Sequence, residues 1–229
     1  MLRAVTFDLW QTLLLDTPEG LRQARAERIR GVHDLLARQG FAVDRDAVSL
    51  AYDAVGPRLE NVWATRQDVG SRGQVRLLLE CLGLDGAVST QGGLLDALEE
   101  AYCLPILSAM PILNAGARDL LETLQTRGLR LVLERLGLAP YLSVLSFSDE
   151  GGLRKPHPEI FHRTLSALSV APAQAAHVGD DVTTDVAGAR GVGMWAIHLC
   201  HSTSVSQHSD GAESIPSLHA LPGILFSIR

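Results

Sequence analysis

Aspartates end two apolar runs of this chain. Asp8 directly follows Val5-Thr6-Phe7. Asp180-Asp181 directly follow His177-Val178-Gly179, and Asp185 comes shortly after them. Aspartate is a poor strand former and must be hydrated or paired when it is buried, so these positions have little value for stability alone. Because crowded carboxylates need a cation and oxygen ligands suit Mg²⁺, the pattern predicts an acidic magnesium site.

A lysine stands between the two acidic groups, in the run Arg154-Lys155-Pro156-His157-Pro158. Pro156 restricts Lys155 to an extended conformation, and Pro158 suits the first turn of a helix. We therefore expect Lys155 just ahead of a helix, at the loop end of a sheet. A lone lysine is usually a solvated surface charge, but its place among carboxylates favours a charge-balancing or phosphate-binding role.

The elements that must position these residues form two blocks. From Pro18 to about Ala109 the apolar spacing is helical and no strand is indicated, which predicts an all-helical insertion. After Met110-Pro111 strands alternate with helices, which predicts a parallel sheet with helices on both faces. The predicted strands are residues 129–133, 143–147, 175–178 and 194–199, and the predicted helices are 117–127, 158–168 and 184–190. In such a sheet, ligands bind beyond the carboxyl ends of the strands.

Composition narrows the class of protein. The 229 residues carry a net charge of −6, which leaves no basic surplus to bind nucleic acid. The longest apolar stretch is too short for a membrane span, and the first residues lack the pattern of a signal peptide. The three cysteines are far apart and fit reduced thiols of a cytoplasmic protein. We expect a cytoplasmic protein that binds a small molecule, and its oligomeric state stays open.

Three segments together resemble the haloacid dehalogenase-like (HAD) hydrolase superfamily. Residues 7–13 (FDLWQTL), 154–161 (RKPHPEIF) and 177–189 (HVGDDVTTDVAGA) look like its first, third and fourth motifs, in the family's order. The resemblance implies an α/β fold: a Rossmann-like parallel-sheet core, residues 1–15 and 110–229, with an inserted all-helical cap, residues 16–109. It also implies a hydrolase, with hydrolysis of a small phosphorylated metabolite as the first expectation.

The resemblance also implies roles for individual residues. Asp8 would be the nucleophile that forms a covalent aspartyl intermediate. Mg²⁺ would be held by Asp8, Asp180 and the backbone carbonyl of Trp10. Asp185 and Asp181 would order its water or its outer shell.

Three further residues complete the expected site. Thr12 would contact the transferring group, and Lys155 would neutralise charge on that group and on the nucleophile. Arg154, beside the lysine, is assigned to substrate binding.

Two departures from the family pattern keep alternatives open. Trp10 stands where phosphatases of the family carry a second aspartate for acid–base catalysis, which is worth roughly 10²–10⁴-fold. An aromatic residue there is typical of haloacid dehalogenases, so carbon–halogen hydrolysis by Asp8 is one alternative. The second motif's Ser or Thr is missing after residues 129–133, so a catalytically weak binding protein is another.

The join at Leu133-Glu134 is anomalous on independent grounds. A crossover between parallel strands needs about a dozen residues or more, and only Glu134 to Leu142 separate the two predicted strands. Glu134-Arg135-Leu136-Gly137 looks like the end of an amphipathic helix without its beginning. Either residues are missing from the sequence at this join or the chain carries a genuine deletion that damages the site.

Overall fold

The computed structural model describes residues 2–109, 111–125, 143–144, 146, 148, 151–200 and 212–228. The chain divides into two compact units. The core unit comprises Met1–Leu15, Ile112–Phe147 and Lys155–Arg229, and the helical unit comprises Asp16–Pro111 and Ser148–Arg154. Ser148–Arg154 thus belong with the helices, whereas the sequence analysis assigned them to the core.

The core unit is built on a parallel sheet. Among the described residues the strands are β1 (Ala4–Phe7), β2 (Leu14–Leu15), β3 (Ile112–Leu113), β4 (Ala175–Gly179), β5 (Trp195–Leu199) and β6 (Glu213–Ile215). Four of them form one sheet in the order β1-β4-β5-β6, and every neighbouring pair is parallel. β2 and β3 form a separate antiparallel pair. The predicted α/β class with a parallel sheet is confirmed.

Helices and buried side chains fix this sheet. The core unit's helices are α7 (Ala117–Gln125), α8 (Pro158–Leu168), α9 (Ala187–Gly191) and α10 (Leu221–Ser227), with 3₁₀ turns at Pro172–Gln174 and Leu218–Ala220 and a π-helical turn at Val182–Val186. One apolar cluster joins β1, β4, β5 and β6 to α7 and α10. A second cluster packs Phe161 and Leu165 of α8 against Ala175. The sheet edge that carries the aspartates is therefore rigidly supported.

The helical unit contains α1 (Pro18–Arg38), α2 (Arg45–Ala64), α3 (Gly70–Cys81), α4 (Asp85–Ser89), α5 (Leu94–Cys103) and α6 (Pro105–Ser108). Local chemistry sets the starts of the two long helices. Thr17 caps α1 by accepting from the Gly20 amide at 3.0 Å, and Asp44 caps α2 by accepting from the Ala47 amide at 2.6 Å. One apolar cluster built from α1 to α5 forms the core of this unit. No helix of the described residues is long and apolar enough to cross a membrane.

The strands and helices predicted from the sequence agree with the structure only in part. The predicted strands at 175–178 and 194–199 and the helix at 158–168 agree with β4, β5 and α8. β2, β3 and β6 were missed because runs of two or three residues are too short to show alternation. The predicted strand at 129–133 and the Leu133-Glu134 join lie outside the described residues. The predicted strand at 143–147 lies partly outside them, and residues 143, 144 and 146 belong to no strand.

Candidate active site

The turn after β1 presents Asp8 and Thr12. The Asp8 amide donates to the Val178 carbonyl at 2.8 Å, which continues the β1–β4 ladder up to the carboxylate. The Leu13 and Leu14 amides donate to the Leu9 carbonyl at 3.0 and 2.9 Å, which closes a tight turn. Thr12 is completely buried inside it. Its hydroxyl donates to Asp180 Oδ1 at 3.4 Å, so the two predicted motifs meet directly.

The end of β4 places the second acidic group. Asp181 opens the π-helical turn: its Oδ1 accepts from the Thr183 and Thr184 amides at 2.7 and 2.8 Å. Burial alone would raise the pKa of Asp181, but the hydrogen bond from the Thr183 hydroxyl at 2.6 Å and those from the two amides lower it below its ordinary value. Asp181 therefore orders the turn that brings Asp185 back toward the sheet.

The close approach of Asp185 to the end of β4 requires glycine at position 179. A β-carbon at Gly179 would lie 2.3 Å from Cγ and Oδ2 of Asp185, which is closer than any real contact. Asp185 can approach the strand end because glycine leaves the space. Its side chain is 2% exposed, and its Oδ2 accepts from the Asp181 amide at 3.2 Å.

Carboxylate oxygens of Asp8, Asp180 and Asp185 all lie within 4.8 Å of one another. The Lys155 ammonium donates to Oδ1 of Asp8 and, at 2.5 Å, to Oδ1 of Asp185. The structure thus brings together Asp8, Lys155 and Asp180, as the argument from strand ends predicts. Their catalytic roles remain predictions.

Neighbouring charges and hydrogen bonds shift the pKa values of Lys155 and Asp185 in this cluster. Burial alone would lower the pKa of Lys155, but the carboxylates of Asp185 and Asp8 hold it above its ordinary value. Burial alone would raise the pKa of Asp185, but the His177 hydrogen bond and the Lys155 charge hold it well below its ordinary value. At neutral pH the site therefore holds a charged ammonium between two carboxylates.

His177 adds a buried neighbour to the site. As expected for a core histidine, it is 5% exposed and hydrogen-bonded, with Nε2 at 3.2 Å from Asp185 Oδ1 and Nδ1 at 2.8 Å from Thr6 Oγ1. Burial, together with the Lys155 charge, lowers its pKa. The sequence analysis did not connect it to the site. The available signal was a polar residue inside β4, the strand that ends directly before Asp180.

Trp10 and Arg154 complete the set of predicted site residues. Trp10 is 41% exposed in the turn after Asp8. Arg154 belongs to the helical unit, where its guanidinium carbon lies 4.1 Å from the centroid of the Trp63 ring and its amide donates to the Arg66 carbonyl at 2.9 Å. Within the described part of the chain, its guanidinium pairs with no carboxylate.

The cluster suits a hard divalent cation. Its three carboxylates offer only oxygen ligands, which Mg²⁺ prefers over the nitrogen and sulfur ligands typical of zinc. Asp185 already accepts from Lys155, His177 and the Asp181 amide. Asp8 and Asp180 are thus the better placed direct ligands, and Asp185 fits the outer shell.

Comparison with known proteins agrees with these motifs. The sequence model of the haloacid dehalogenase-like hydrolase family matches residues 2–193 of this chain. The chain is 29% identical over 240 residues to haloacid dehalogenase-like hydrolase domain-containing protein 3 of Mus musculus, covering 97% of this chain and 91% of that protein. It is 31% identical over 229 residues to a phosphoserine phosphatase of Thermus thermophilus, covering 86% and 88%. The crystal structure of a 2-haloacid dehalogenase from Pseudomonas syringae superposes with a TM-score of 0.71 at 24% identity, covering 99% of each chain.

Proposed function

We propose that this chain, which belongs to the haloacid dehalogenase-like hydrolase family, hydrolyses the phosphate ester of a small metabolite in the presence of Mg²⁺. One observation carries the proposal. The Asp8 carboxylate, at the end of β1, accepts from the same Lys155 ammonium as Asp185, and carboxylate oxygens of Asp8 and Asp180 lie within 4.8 Å of each other. The name of the Thermus thermophilus relative supports phosphate esters as the substrate class.

In the proposed reaction, an oxygen of the Asp8 carboxylate attacks the phosphorus in line with the ester oxygen. The new oxygen–phosphorus bond forms as the ester bond breaks, and the released alcohol takes its proton from water because Trp10 offers none. Water then attacks the aspartyl phosphate, which releases inorganic phosphate and restores Asp8.

Lys155 performs two tasks in this scheme. Before substrate binds, its ammonium donates to Oδ1 of Asp8 and holds the carboxylate in place. During transfer, it stabilises the negative charge on the phosphoryl oxygens, which is the main contribution expected of protein groups in this chemistry. Thr12, buried beside Asp180, would orient the transferring group.

Asp8, Asp180 and the Trp10 carbonyl would hold Mg²⁺, with Asp185 and Asp181 in the outer shell. When bound, the ion would offset the charge of the substrate phosphate and polarise its oxygens. Two other residues hold these carboxylates in place: the Lys155 ammonium bonds to both Asp8 and Asp185, and Gly179 leaves the space that Asp185 occupies.

Arg154 is proposed to bind a second anionic group of the substrate. Its guanidinium is stacked on Trp63 and has no carboxylate partner among the described residues, so it can still bind an anion. The buried Trp63 indole N–H also has no hydrogen-bond partner in the described residues. Arg154 directly precedes Lys155, so their Cα atoms are about 3.8 Å apart whatever the arrangement of the two units.

Trp10 supports a second candidate function, hydrolysis of a 2-haloacid. A halide leaving group needs no proton, so a tryptophan in place of a general acid would do no harm there. A non-catalytic binding protein is the weaker alternative, because a chain released from catalysis has no need of the Asp8, Lys155 and Asp180 set.

A substrate screen distinguishes these candidates. The purified chain is assayed against phosphate esters and 2-haloacids, each with Mg²⁺ and with a chelator. Phosphate release that needs Mg²⁺ and disappears in Asp8→Asn supports the proposal. Halide release with the chelator present would favour dehalogenation, and no turnover of either class would favour the binding protein.

A further inference from the structure

A buried histidine that takes no part in the proposed chemical steps contacts Asp185. His177 lies on β4, and its ring fills the space between that strand and α8, where Phe161 meets it edge-on with the ring centroids 5.3 Å apart. Both ring nitrogens have partners: Thr6 Oγ1 at 2.8 Å from Nδ1, and Asp185 Oδ1 at 3.2 Å from Nε2. A histidine with two defined partners is oriented by both of them.

The partners also determine which nitrogen carries the proton. The Asp185 carboxylate can only accept, so Nε2 must bear the hydrogen that faces it. A neutral ring then has a lone pair on Nδ1, which accepts from the Thr6 hydroxyl at 2.8 Å. The alternative acceptor for that hydroxyl, the Ala176 carbonyl, is farther away at 3.4 Å. The hydrogen bonds therefore run from Thr6 to His177 and from His177 to Asp185.

Asp185 is the point where this chain of hydrogen bonds reaches the nucleophile. Its Oδ1 accepts from both His177 and Lys155, and its Oδ2 accepts from the Asp181 amide. The same Lys155 ammonium also donates to Asp8. Without His177 the carboxylate would lose the contact that fixes the position of Oδ1, and the ammonium would lose its fixed place beside the nucleophile.

We propose that His177, held in its neutral Nε2–H form by Thr6, is a positioning residue that aims Asp185 so that Lys155 stays on Asp8. This inference rests on the proposed function for its effect on turnover, but its structural part stands without it. Groups of this kind, which orient the residues at a reacting centre, typically contribute 10- to 100-fold to activity or metal affinity.

Two substitutions at this position separate the N–H group from the volume of the ring. In His177→Gln the side-chain amide can present an N–H near the position of Nε2, whereas His177→Met has similar length and no donor. With para-nitrophenyl phosphate and Mg²⁺, we expect His177→Met to lower kcat by about 10- to 100-fold with KM changed less than about 3-fold. His177→Gln should recover most of the lost kcat.

Two results would overturn the proposal. One is a wild-type kcat in folded His177→Met. The other is an equal loss in His177→Gln and His177→Met when circular dichroism shows both folded, because ring volume rather than the N–H would then matter. If neither variant folds, Thr6→Val and Thr6→Ser act from the other end of the chain. Valine should lower kcat and serine should not, and equal kcat values for the two would refute the role of Thr6.

A measurement without substrate separates this proposal from the proposed function. Nitrogen-15 NMR of histidine-labelled wild-type protein should show one histidine as the Nε2–H tautomer with slow exchange, and its signal should be absent in His177→Gln. The Nδ1–H tautomer or a doubly protonated ring at that signal would refute the inference. The tautomer without any phosphatase activity would instead count against the proposed function alone.

Discussion

Carboxylates meet cations in both units of this protein, but under different conditions. In two ion pairs of the helical unit both partners are exposed: Arg58 and Glu80 are 46% and 50% exposed, and Arg25 and Asp53 are 40% and 55% exposed. In the core unit Lys155 and Asp8 are each 22% exposed and Asp185 is 2% exposed. Water screens the first group and largely leaves the second unscreened.

This difference indicates what each group is for. Exposed ion pairs contribute about 0–1 kcal/mol, so those of the helical unit add little beyond solubility and local order. Buried charges are expensive to desolvate, and a hydrophobic replacement is often as stable. A partly buried cluster of three carboxylates and a lysine is thus poorly explained by stability and well explained by chemistry.

The largest effect should come from Asp8→Asn. The change removes the nucleophile and keeps the shape of the side chain, so we expect phosphatase activity to fall by at least about 10⁴-fold with the fold intact. Steady-state phosphate release and a thermal unfolding curve measure the two quantities. Residual activity of a tenth or more in protein free of wild type would rule out covalent catalysis by Asp8.

Trp10→Asp should act in the opposite direction. The new carboxylate stands two residues after Asp8, where the resemblance implies a general acid, and the 41% exposed indole leaves room for the change. If proton transfer to the leaving group limits turnover, activity should rise by roughly 10²–10⁴-fold. Trp10→Asn is the matched control, because asparagine is similar in size to aspartate and cannot protonate the leaving group. Equal rates for the two variants would show that another step limits the enzyme.

The sequence predicts the core unit's site better than its full surroundings. Asp8, Asp180 and Lys155 could be brought together because each lies at the end of a strand or just before a helix, and parallel strands end on one edge. The contact of His177 with Asp185 could not be predicted, because it depends on the π-helical turn that carries Asp185, and no sequence periodicity indicates such a turn. The short strands β2, β3 and β6 were missed for lack of length.

In the helical unit, the sequence did not predict which distant segment joins the helices. The sequence predicted its helical character from Pro18 to about Ala109, and Thr17 and Asp44 cap the two long helices. The membership of Ser148–Arg154 in this unit was not foreseen, because backbone pairings far apart in sequence determine it. The Asp68 amide donates to the Gly152 carbonyl, and the Arg154 amide to the Arg66 carbonyl. Local patterns do not contain such contacts.

Lys155→Met and Arg58→Met test the contrast between the units directly. Removing Lys155 leaves Asp8 and Asp185 as adjacent carboxylates without their shared cation, so we expect a loss of about 3 kcal/mol in unfolding free energy. Arg58→Met removes one partner of an exposed pair and should change that free energy by less than about 1 kcal/mol. Urea titrations of the three proteins measure both values. Similar losses in the two variants would remove the proposed distinction.

The smallest effect concerns the pH dependence of stability. Burial lowers the pKa of His177 in the folded protein, whereas in the unfolded chain it titrates near its ordinary value of about 6.5. Below that pH the unfolded state binds a proton that the folded state refuses, so the unfolding free energy falls as the solution becomes more acidic. The contribution is fully present above pH 6.5 and decreases until the folded-state pKa is reached. One proton corresponds to a slope of at most about 1.4 kcal/mol per pH unit.

His177→Gln removes the titrating group, so its unfolding free energy, measured in urea between pH 7 and pH 5, should fall less steeply than that of wild type. His162→Gln, at an exposed position of α8, controls for the loss of a histidine as such. The same slope in both variants would mean that the buried imidazole is not what makes the core unit acid-sensitive in this range.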